Sequence, residues 1–390
     1  MFDTELKDHL TRTLLPFWHE LKDAEFGGFY GYLGYDLTLD KKAAKGCILN
    51  SRLLWFFSNA YLLLKEESIL ADAKHAFLFL QEHCMDWKNG GVYWSVTYDG
   101  RPEDTTKHTY NQAFAVYALS SYYDASGDTA ALALAKSLYA LIESKCRDGG
   151  GYLEAFSCRF EPVENDKLSE NGVLAERTMN TLLHVLEAYT ELYRVSRDAD
   201  VADCIRYQLD LLAEQVYNPA RQRQEVFFDR DWHSLIDLHS YGHDIETAWL
   251  ADRSAVVLGD PTYTAKIAPI TRALTETVYQ KAYSGHSLAN EAENGVADNT
   301  RVWWVQAEAV VGFLNGWQKS PERTEYWDAA LDIWEFIKNR LIDRRPGSEW
   351  YWGLDAKGNP LEKPIVEPWK CPYHNGRMCI EVIRRMQDAT

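Results

Sequence analysis

The sequence lacks the patterns that mark nucleic-acid-binding, membrane and secreted proteins. No run of lysine and arginine interrupts its acidic composition, and the formal net charge is −17, so nucleic acids and anionic membrane surfaces are poor partners. About 18 apolar residues in succession, enough to span a bilayer, occur nowhere, and the N-terminus lacks a basic segment followed by an apolar one. The sequence therefore predicts a cytoplasmic protein.

Paired cysteines and nucleotide-binding glycine motifs are also missing. The seven cysteines form no Cys-x-x-Cys pair, and their odd number suits a reducing compartment rather than a disulfide framework. No Gly-rich segment has the spacing of a Walker or dinucleotide-binding motif, so we expect no nucleotide cofactor. Aromatic residues, in contrast, make up 13% of the chain. Tryptophan in polar motifs is typical of sugar sites, because its flat face covers C–H surfaces.

A Gly-rich aromatic segment recurs along the chain. Its clearest copies are Gly27-Gly-Phe-Tyr-Gly31, Gly90-Gly-Val-Tyr-Trp94 and Gly149-Gly-Gly-Tyr-Leu153, with weaker copies at 225–229, 290–295 and 347–352. The first three copies begin 63 and 59 residues apart, and six units over 390 residues indicate a repeat architecture.

Two amphipathic segments lie between successive copies, with apolar residues at spacings of three and four. They predict helices at 50–64 and 69–84, 111–123 and 129–146, 176–195 and 201–216, 245–258 and 263–279, and 302–317 and 324–341. Segments 4–21 and 375–387 supply a sixth pair if the ring closes through its termini. The predicted fold is all-α, an (α/α)6 barrel with short β-like connections at one face, in a single domain of residues 1–390. An open helical solenoid is the alternative.

Side chains that suit acid/base chemistry occur at or near the predicted helix starts. In the stretch from 237 to 249, His243, Glu246 and Trp249 fan round one side of a helix that begins at Gly242 or Asp244. Imidazole exchanges protons near neutral pH, and a nearby carboxylate raises its basicity. His374 lies at the start of an apolar helix, whose dipole lowers the pKa of an imidazole there. A neutral histidine at this position suits a general base. The other candidates are Arg52, Tyr110, Asn111, Asn180, His184, Trp303, Trp304, Glu308 and Trp369.

Several candidates also have a structural interpretation. Arg52 could form a buried ion pair in an apolar helix. Asn180 and His184, at positions i and i+4, could belong to a hydrogen-bonded core network. A buried pair of Arg301 with Glu308 is equally compatible with the sequence.

A zinc site of His239, His243 and Glu246 is a further alternative. The metalloprotease pattern, however, places the glutamate between the two histidines, and the sequence offers no obvious third ligand. Metal-free acid/base chemistry is therefore the prediction, with His239 in a structural role.

Four long motifs carry a family resemblance. They are Asn50-Ser-Arg-Leu-Leu-Trp-Phe-Phe-Ser-Asn-Ala-Tyr61, Ser240-Tyr-Gly-His-Asp-Ile-Glu-Thr-Ala-Trp249, Thr300-Arg-Val-Trp-Trp-Val-Gln-Ala-Glu308 and Trp369-Lys-Cys-Pro-Tyr-His-Asn-Gly-Arg377. They closely resemble the cellobiose 2-epimerases, which belong with N-acylglucosamine 2-epimerases and mannose isomerases, all (α/α)6 barrels. The resemblance spans nearly the whole chain. It implies reversible, cofactor-free epimerisation at C2 of the reducing-end glucose of β-1,4-linked disaccharides such as cellobiose and lactose.

The resemblance, together with the chemistry that epimerisation requires, implies roles for the site residues. His243 and His374 match the acid/base pair that moves the C2 proton through an enediolate. Arg52 is expected to hold the developing charge, and His184 to assist ring opening. The expected substrate-binding residues are Tyr110, Asn180, Glu246, Trp249, Trp303, Trp304, Glu308 and Trp369, of which Glu246 or Glu308 also orients an imidazole.

Three other functions fit parts of the pattern. An aldose-ketose isomerase uses the same enediolate, a glycoside hydrolase uses two carboxylates such as Glu246 and Glu308, and a relative in the wider family binds a protease. The fold alone does not decide among them. The expected partner is a small disaccharide, and the expected state is a monomer or weak homodimer.

Overall fold

A computed structural model describes residues 2–168 and 171–388. The predicted domain of residues 1–390 contains five further residues, 1, 169–170 and 389–390, which lie outside the described residues. The helices are α1 Phe2–His9, α2 Leu15–Glu20, α3 Cys47–Leu64, α4 Glu67–Phe79, α5 Thr109–Ser126, α6 Thr129–Leu141, α7 Met179–Ser196, α8 Ala199–Leu211, α9 Tyr241–Leu258, α10 Pro261–Ala282, α11 Trp303–Lys319, α12 Thr324–Phe336 and α13 His374–Asp388. Five π-helical turns occupy Leu10–Leu14, Leu80–Cys84, Ile142–Cys146, Leu212–Val216 and Ile337–Leu341.

Short strands make up the rest of the regular structure. They are β1 Lys45–Gly46, β2 Ser95–Val96, β3 Pro102–Asp104, β4 Lys107–His108, β5 Ala155–Phe156, β6 Arg177–Thr178, β7 Tyr217–Asn218, β8 Arg223–Gln224, β9 Phe227–Phe228, β10 Leu238–Ser240, β11 Tyr283–Ser284, β12 Ser287–Leu288, β13 Glu291–Glu293, β14 Val296–Asp298, β15 Arg301–Val302 and β16 Gly353–Leu354. They pair into antiparallel ribbons of two or three strands.

In the described part of the chain, six helices form a closed inner ring. Helices α3, α5, α7, α9, α11 and α13 each contact the next, and α13 contacts both α11 and α3. Helices α4, α6, α8, α10 and α12 pack outside their partners, and α1 packs outside α13. The predicted (α/α)6 architecture is confirmed, and the open solenoid is wrong.

Burial distinguishes the two layers. Helix α3 is buried at every position from Cys47 to Ala60, whereas α6 buries only Ala131, Ala135 and Leu138, one stripe of an amphipathic helix. By length and composition α3 also qualifies as a membrane-crossing helix, but 78% of it is buried inside the protein. It is a core helix of the inner ring.

The two ends of the ring have different connections. The inner helices α3, α5, α7 and α9 each end at a residue with left-handed backbone: Lys65 (φ 59°), Gly127 (φ 72°), Arg197 (φ 59°) and Gly259 (φ 71°). From an outer helix to the next inner helix, the chain runs through short strands. The strand before an inner helix pairs with a strand beyond the following outer helix, as β4 does with β5 and β15 with β16. The N-terminal ends of the inner helices therefore open on the face with the longer connections.

The Gly-rich copies fold into equivalent antiparallel turns. Isolated bridges join Lys22 to Phe29, Met85 to Val92, Arg147 to Tyr152 and Ile342 to Trp350. In the other two units the equivalent pairs are β7 with β8 and β11 with β12. The copy predicted at 290–295 belongs instead to an additional hairpin of β13 and β14.

Amide side chains at the fourth position of inner helices hold these turns. Gln112 in α5 bonds the backbone N and O of Val92 at 2.6 and 2.9 Å, and Gln306 in α11 bonds both groups of Leu288 at 2.8 Å. Asn50 occupies the same position in α3 and accepts from a turn amide at 3.1 Å. Because buried backbone groups need partners, these contacts fix each turn against the helix that follows its unit.

Candidate active site

A cavity of about 290 Å³ opens on the face where the inner helices begin, near the lower end of the usual size of small-ligand sites. Ten of the twelve predicted site residues line it: Arg52, Tyr110, Asn180, His184, His243, Glu246, Trp303, Trp304, Trp369 and His374. The closed ring thus brings together side chains that are distant in the sequence.

The sixth residues of five inner helices belong to this site, three of them in the cavity lining and two beside it. They are Arg52, Phe114, His184, Glu246 and Glu308. The guanidinium of Arg52 lies 4.3 Å from the ring centroid of Phe114, and that ring lies 4.9 Å from His184. Each of these inner helices follows a strand that is paired in a similar way. Residues at the same position of successive inner helices therefore face the same region of the ring.

His243 and His374 both contact the indole ring of Trp304. Their ring centroids lie 4.8 and 5.3 Å from it. His243 Nδ1 lies 2.7 Å from Ser240 Oγ, and His374 Nδ1 lies 2.7 Å from Glu308 Oε1. Within residues 2–168 and 171–388, neither Nε2 has a hydrogen-bond partner, so Nε2 is the nitrogen that each ring offers to a ligand.

The burial of both imidazoles keeps them neutral. It lowers the pKa of His243 to about 3, and burial together with the Arg377 guanidinium lowers the pKa of His374 well below its usual range. The Glu308 carboxylate accepts a hydrogen bond from Nδ1–H of His374, which leaves a lone pair on Nε2. A neutral imidazole with a free lone pair at a cavity suits a general base.

A single guanidinium that we did not predict holds three carboxylates behind the cavity. Arg377 Nη2 donates to Glu246 Oε1 at 2.5 Å and to Glu308 Oε1 at 2.6 Å, and Nη1 donates to Glu187. Arg377 belongs to the last of the four motifs, but nothing in the sequence pointed to its role, because its carboxylate partners lie far away along the chain. Glu308 pairs with Arg377 rather than with Arg301, so the predicted structural pair is wrong.

The three carboxyl groups differ in charge. Against the effect of burial, the Arg377 guanidinium lowers the pKa of Glu187 to about 2. Burial, and then the neighbouring Glu308 carboxylate, raise the pKa of Glu246 well above its usual range; burial also raises the pKa of Glu308. Two carboxyls beside one N–H donor do not both ionise easily. Oε2 of Glu246 has no partner in the described chain, and Glu246 lines the cavity.

Arg52 meets no carboxylate in the described chain, so the predicted structural ion pair is wrong. Its Nη2 donates to the Tyr110 hydroxyl at 2.8 Å, and its Nη1 donates to the Trp369 carbonyl at 3.2 Å. Burying a cation without a counter-charge is costly. Its charge is therefore available to a negative group in the cavity.

Asn180 and His184 line the cavity rather than a closed core network. His184 Nδ1 lies 2.9 Å from Glu187 Oε2, and its ring meets Tyr110 edge-on at 5.0 Å. Asn180 Oδ1 is buried and has no hydrogen-bond partner among the described residues. Both side chains therefore have polar atoms available beside the cavity.

Two predicted substrate-binding residues lie behind the cavity wall. Trp249 is buried, and its Nε1 donates to Glu308 Oε2 at 2.9 Å. The other oxygen of Glu308 contacts His374. Neither Trp249 nor Glu308 lines the cavity, so their predicted contact with the sugar finds no support in the cavity lining. Together they orient His374.

The zinc set that the sequence left as an alternative is not assembled. His239 Nε2 lies 2.8 Å from Asp244 Oδ2, in a buried pair outside the cavity lining. The ligand-type atoms that lie together belong to Glu246, Glu308 and His374, within 4.8 Å of one another. Arg377 Nη2 already bonds both of these carboxylates. A guanidinium thus takes the place that a cation would need there.

Sequence reasoning missed part of the cavity wall, which also contains Lys167, Leu168, Asn171, Phe227, Ser240, Asn290, Glu291 and Trp352. Trp352 Nε1 donates to Glu367 Oε1 at 3.2 Å, and Lys363 Nζ lies 3.4 Å from the Trp352 ring centroid. Trp352 belongs to the last Gly-rich copy, which was an available signal. Lys167 and Asn171 lie in an irregular connection that has no periodic pattern.

Comparisons with known proteins agree with this architecture. The family model for N-acylglucosamine 2-epimerase matches residues 28–376. A cellobiose 2-epimerase of Eubacterium cellulosolvens is 51% identical over 391 residues, with 96% of each chain covered. Another, of Ruminococcus albus, is 49% identical over all of both chains. The crystal structure of a sugar epimerase from a ruminal bacterium has a TM-score of 0.97 and 49% identity, with 99% of each chain covered. The chain therefore belongs to the N-acylglucosamine 2-epimerase family.

Proposed function

We propose that this protein is a cellobiose 2-epimerase. It interconverts glucose and mannose at the reducing end of β-1,4-linked disaccharides such as cellobiose and lactose, and it needs no cofactor. The observation that carries this proposal is the pair of imidazoles, His243 and His374, that contact Trp304 and leave both Nε2 atoms without a protein partner in the described chain. The high identity to enzymes of that name supports it.

The proposed reaction begins with ring opening. The C2 proton becomes acidic only in the open aldehyde, so the site must first protonate the ring oxygen and then stabilise an enediolate. His184 assists ring opening from its position beside Glu187. Arg52, a cation with no carboxylate partner in the described chain, holds the negative oxygen of the enediolate.

His374 and His243 then move the C2 proton. In the proposed direction, Nε2 of His374 removes the proton, because Glu308 orients this ring and raises its basicity. Burial keeps His243 neutral in the resting enzyme, but the negative enediolate favours its protonated form, so His243 takes up a proton from solvent in the open cavity and delivers it to the opposite face of C2. His374 then releases the proton that it removed to solvent. The two histidines exchange roles in the reverse reaction. Trp304 and Trp369 cover the C–H faces of the sugar.

A two-carboxylate hydrolase fits this site less well. Such enzymes place two carboxyls on either side of a glycosidic bond, with roughly 5 Å or more between them. Glu308 is behind the cavity wall and shares the Arg377 guanidinium with Glu246. The pair is therefore arranged around an arginine rather than around a substrate.

The cellular setting is also part of the proposal. All seven cysteines are free, which supports a reducing compartment. We place the enzyme in the cytoplasm, with residues 1–390 acting as a single catalytic domain on a small disaccharide.

Product identity tests the proposed function. The purified protein is incubated with cellobiose, and the product is identified by NMR and chromatography. We expect a disaccharide with mannose at its reducing end. A disaccharide that ends in a ketose instead indicates the isomerase alternative, and free glucose indicates the hydrolase. Either result, without the mannose product, contradicts the proposal.

A further inference from the structure

Arg377 makes more contacts with ionisable groups than the proposed mechanism uses. The residue is fully buried and does not line the cavity. Its Nη2 donates to Glu246 and Glu308 at 2.5 and 2.6 Å, and its Nη1 donates to Glu187 and the Tyr373 hydroxyl. The guanidinium also lies 4.2 Å from the Tyr373 ring centroid. The substrate therefore does not meet Arg377 directly.

Each carboxylate leads from Arg377 to the cavity. Glu187 Oε2 lies 2.9 Å from His184 Nδ1, and Glu308 Oε1 lies 2.7 Å from His374 Nδ1. Glu246 reaches the cavity itself, with an Oε2 that has no protein partner in the described chain. Through these carboxyl groups, the Arg377 side chain is connected to His184 and His374 and to the cavity itself at Glu246.

The fork geometry of the guanidinium makes this arrangement possible. Its two Nη atoms point to different carboxylates, whereas the single ammonium of a lysine carries no planar fork. Removing the cation would leave buried carboxyls without a counter-charge and would favour their protonated forms. A protonated Glu308 is a weaker acceptor for Nδ1–H of His374.

Resting on the proposed epimerisation, we infer that Arg377 is a positioning residue of the reaction. It holds Glu187, Glu246 and Glu308 where they orient His184 and His374 and where Glu246 meets the sugar. It acts through these groups and touches no substrate atom.

Kinetics of two substitutions test this role. Arg377→Lys keeps the positive charge and removes the fork, so kcat is expected to fall by roughly 10²-fold, the scale of a misplaced catalytic group. KM should change less than kcat, because Arg377 does not line the cavity and reaches the sugar only through Glu246. The matched control is Arg384→Lys on the same helix, where Arg384 contacts Glu381 and Asn59 outside the cavity; its kcat should not change.

The pH profile provides a second readout. Around His374 the charged and titratable groups are Arg52, His184, Glu187, Glu246, Glu308 and Arg377. Arg377→Met removes a cation that lowers the pKa of His374, and it also favours protonation of the carboxyls that face this ring, so the titration of the base changes. The acid limb of the kcat profile should therefore shift in Arg377→Met and stay near its original place in Arg377→Lys.

The outcomes separate this inference from the proposed function. If the unaltered protein gives no mannose product, the proposed function fails. If it is active and folded Arg377→Lys retains its kcat, or Arg384→Lys loses as much, the positioning role is overturned. Should neither Arg377 variant fold, Tyr373→Phe removes the hydroxyl that Arg377 and Glu187 share. A several-fold fall in kcat is then expected, and an unchanged kcat overturns the role.

Discussion

At the scale of single residues, the proposed chemistry depends on which group holds Nδ1 of His243 and of His374. His374 has a carboxylate partner in Glu308, whereas His243 has the neutral hydroxyl of Ser240. A carboxylate stabilises the protonated ring more than a hydroxyl does. The two imidazoles are therefore held differently, and in the proposed direction His374 is the base because a carboxylate fixes its Nδ1 and leaves the Nε2 lone pair for the substrate.

Alanine substitutions test both histidines. Replacing His243 or His374 by alanine removes general acid/base catalysis, and kcat should fall by roughly 10²- to 10⁴-fold. The control is His286→Ala, because His286 is exposed and pairs with Asp332 at the surface. Initial rates with cellobiose provide the measurement. A rate near that of the unaltered protein for either active-site variant is incompatible with its assigned role.

The site residues that could be predicted from the sequence are those whose residue type is unusual in its surroundings. Histidines and an arginine at the starts of apolar helices are unusual, and Arg52, His184, His243 and His374 were predicted on that basis. Arg377 was not, because its carboxylate partners lie 69, 131 and 190 residues away. No periodicity links such positions, and only the closed ring brings them together.

At the scale of elements, apolar periodicity predicted the helices closely and their ends less well. The predicted segments 129–146 and 324–341 each contain an α-helix and a π-helical turn at its end. A π-helical turn of five residues hardly changes the spacing of apolar residues, so the sequence pattern does not reveal it. Helix α7 begins at Met179 rather than at 176, because Arg177 and Thr178 form a strand.

The packing of the N-terminal helix predicts a pH-dependent stability. His9 in α1 is buried, and its Nε2 accepts a hydrogen bond from Trp350 Nε1 at 2.8 Å. Burial, with a smaller effect of Arg344, lowers the pKa of His9 to about 4 from the 6.5 of an exposed histidine. The unfolded chain therefore binds this proton more readily. The stability that neutral His9 contributes is complete above pH 6.5 and is lost as the pH falls towards 4.

His9→Gln should remove this dependence, because an amide oxygen can accept from Trp350 without titrating. We compare the unfolding free energy of the unaltered protein with that of the variant. As the pH is lowered from 6.5 to 4, the value for the unaltered protein should fall relative to the variant by about 1.4 kcal/mol per pH unit. Urea titrations followed by circular dichroism at several pH values measure it. Other buried histidines titrate equally in both proteins and cancel. A difference that is constant with pH contradicts the argument.

At the scale of the whole molecule, the site exists because the ring is closed. Helix α13 contacts α3 and α11, so it places His374 beside Trp304 and lets Arg52 donate to the Trp369 carbonyl, 317 residues away. The apolar, aromatic ends of the sequence made closure predictable. The walls contributed by the β13–β14 hairpin and the connection after β5 were not predictable, because irregular segments carry no repeat.

In the proposed mechanism, two histidines on opposite faces of the sugar exchange the C2 proton. Turnover of cellobiose in D2O, with the label located by NMR, tests it most directly. A proton that passes through solvent-exchangeable imidazoles is replaced, so the account predicts deuterium at C2 of the mannose-ended product. A mannose-ended product that retains only protium at C2 would contradict it.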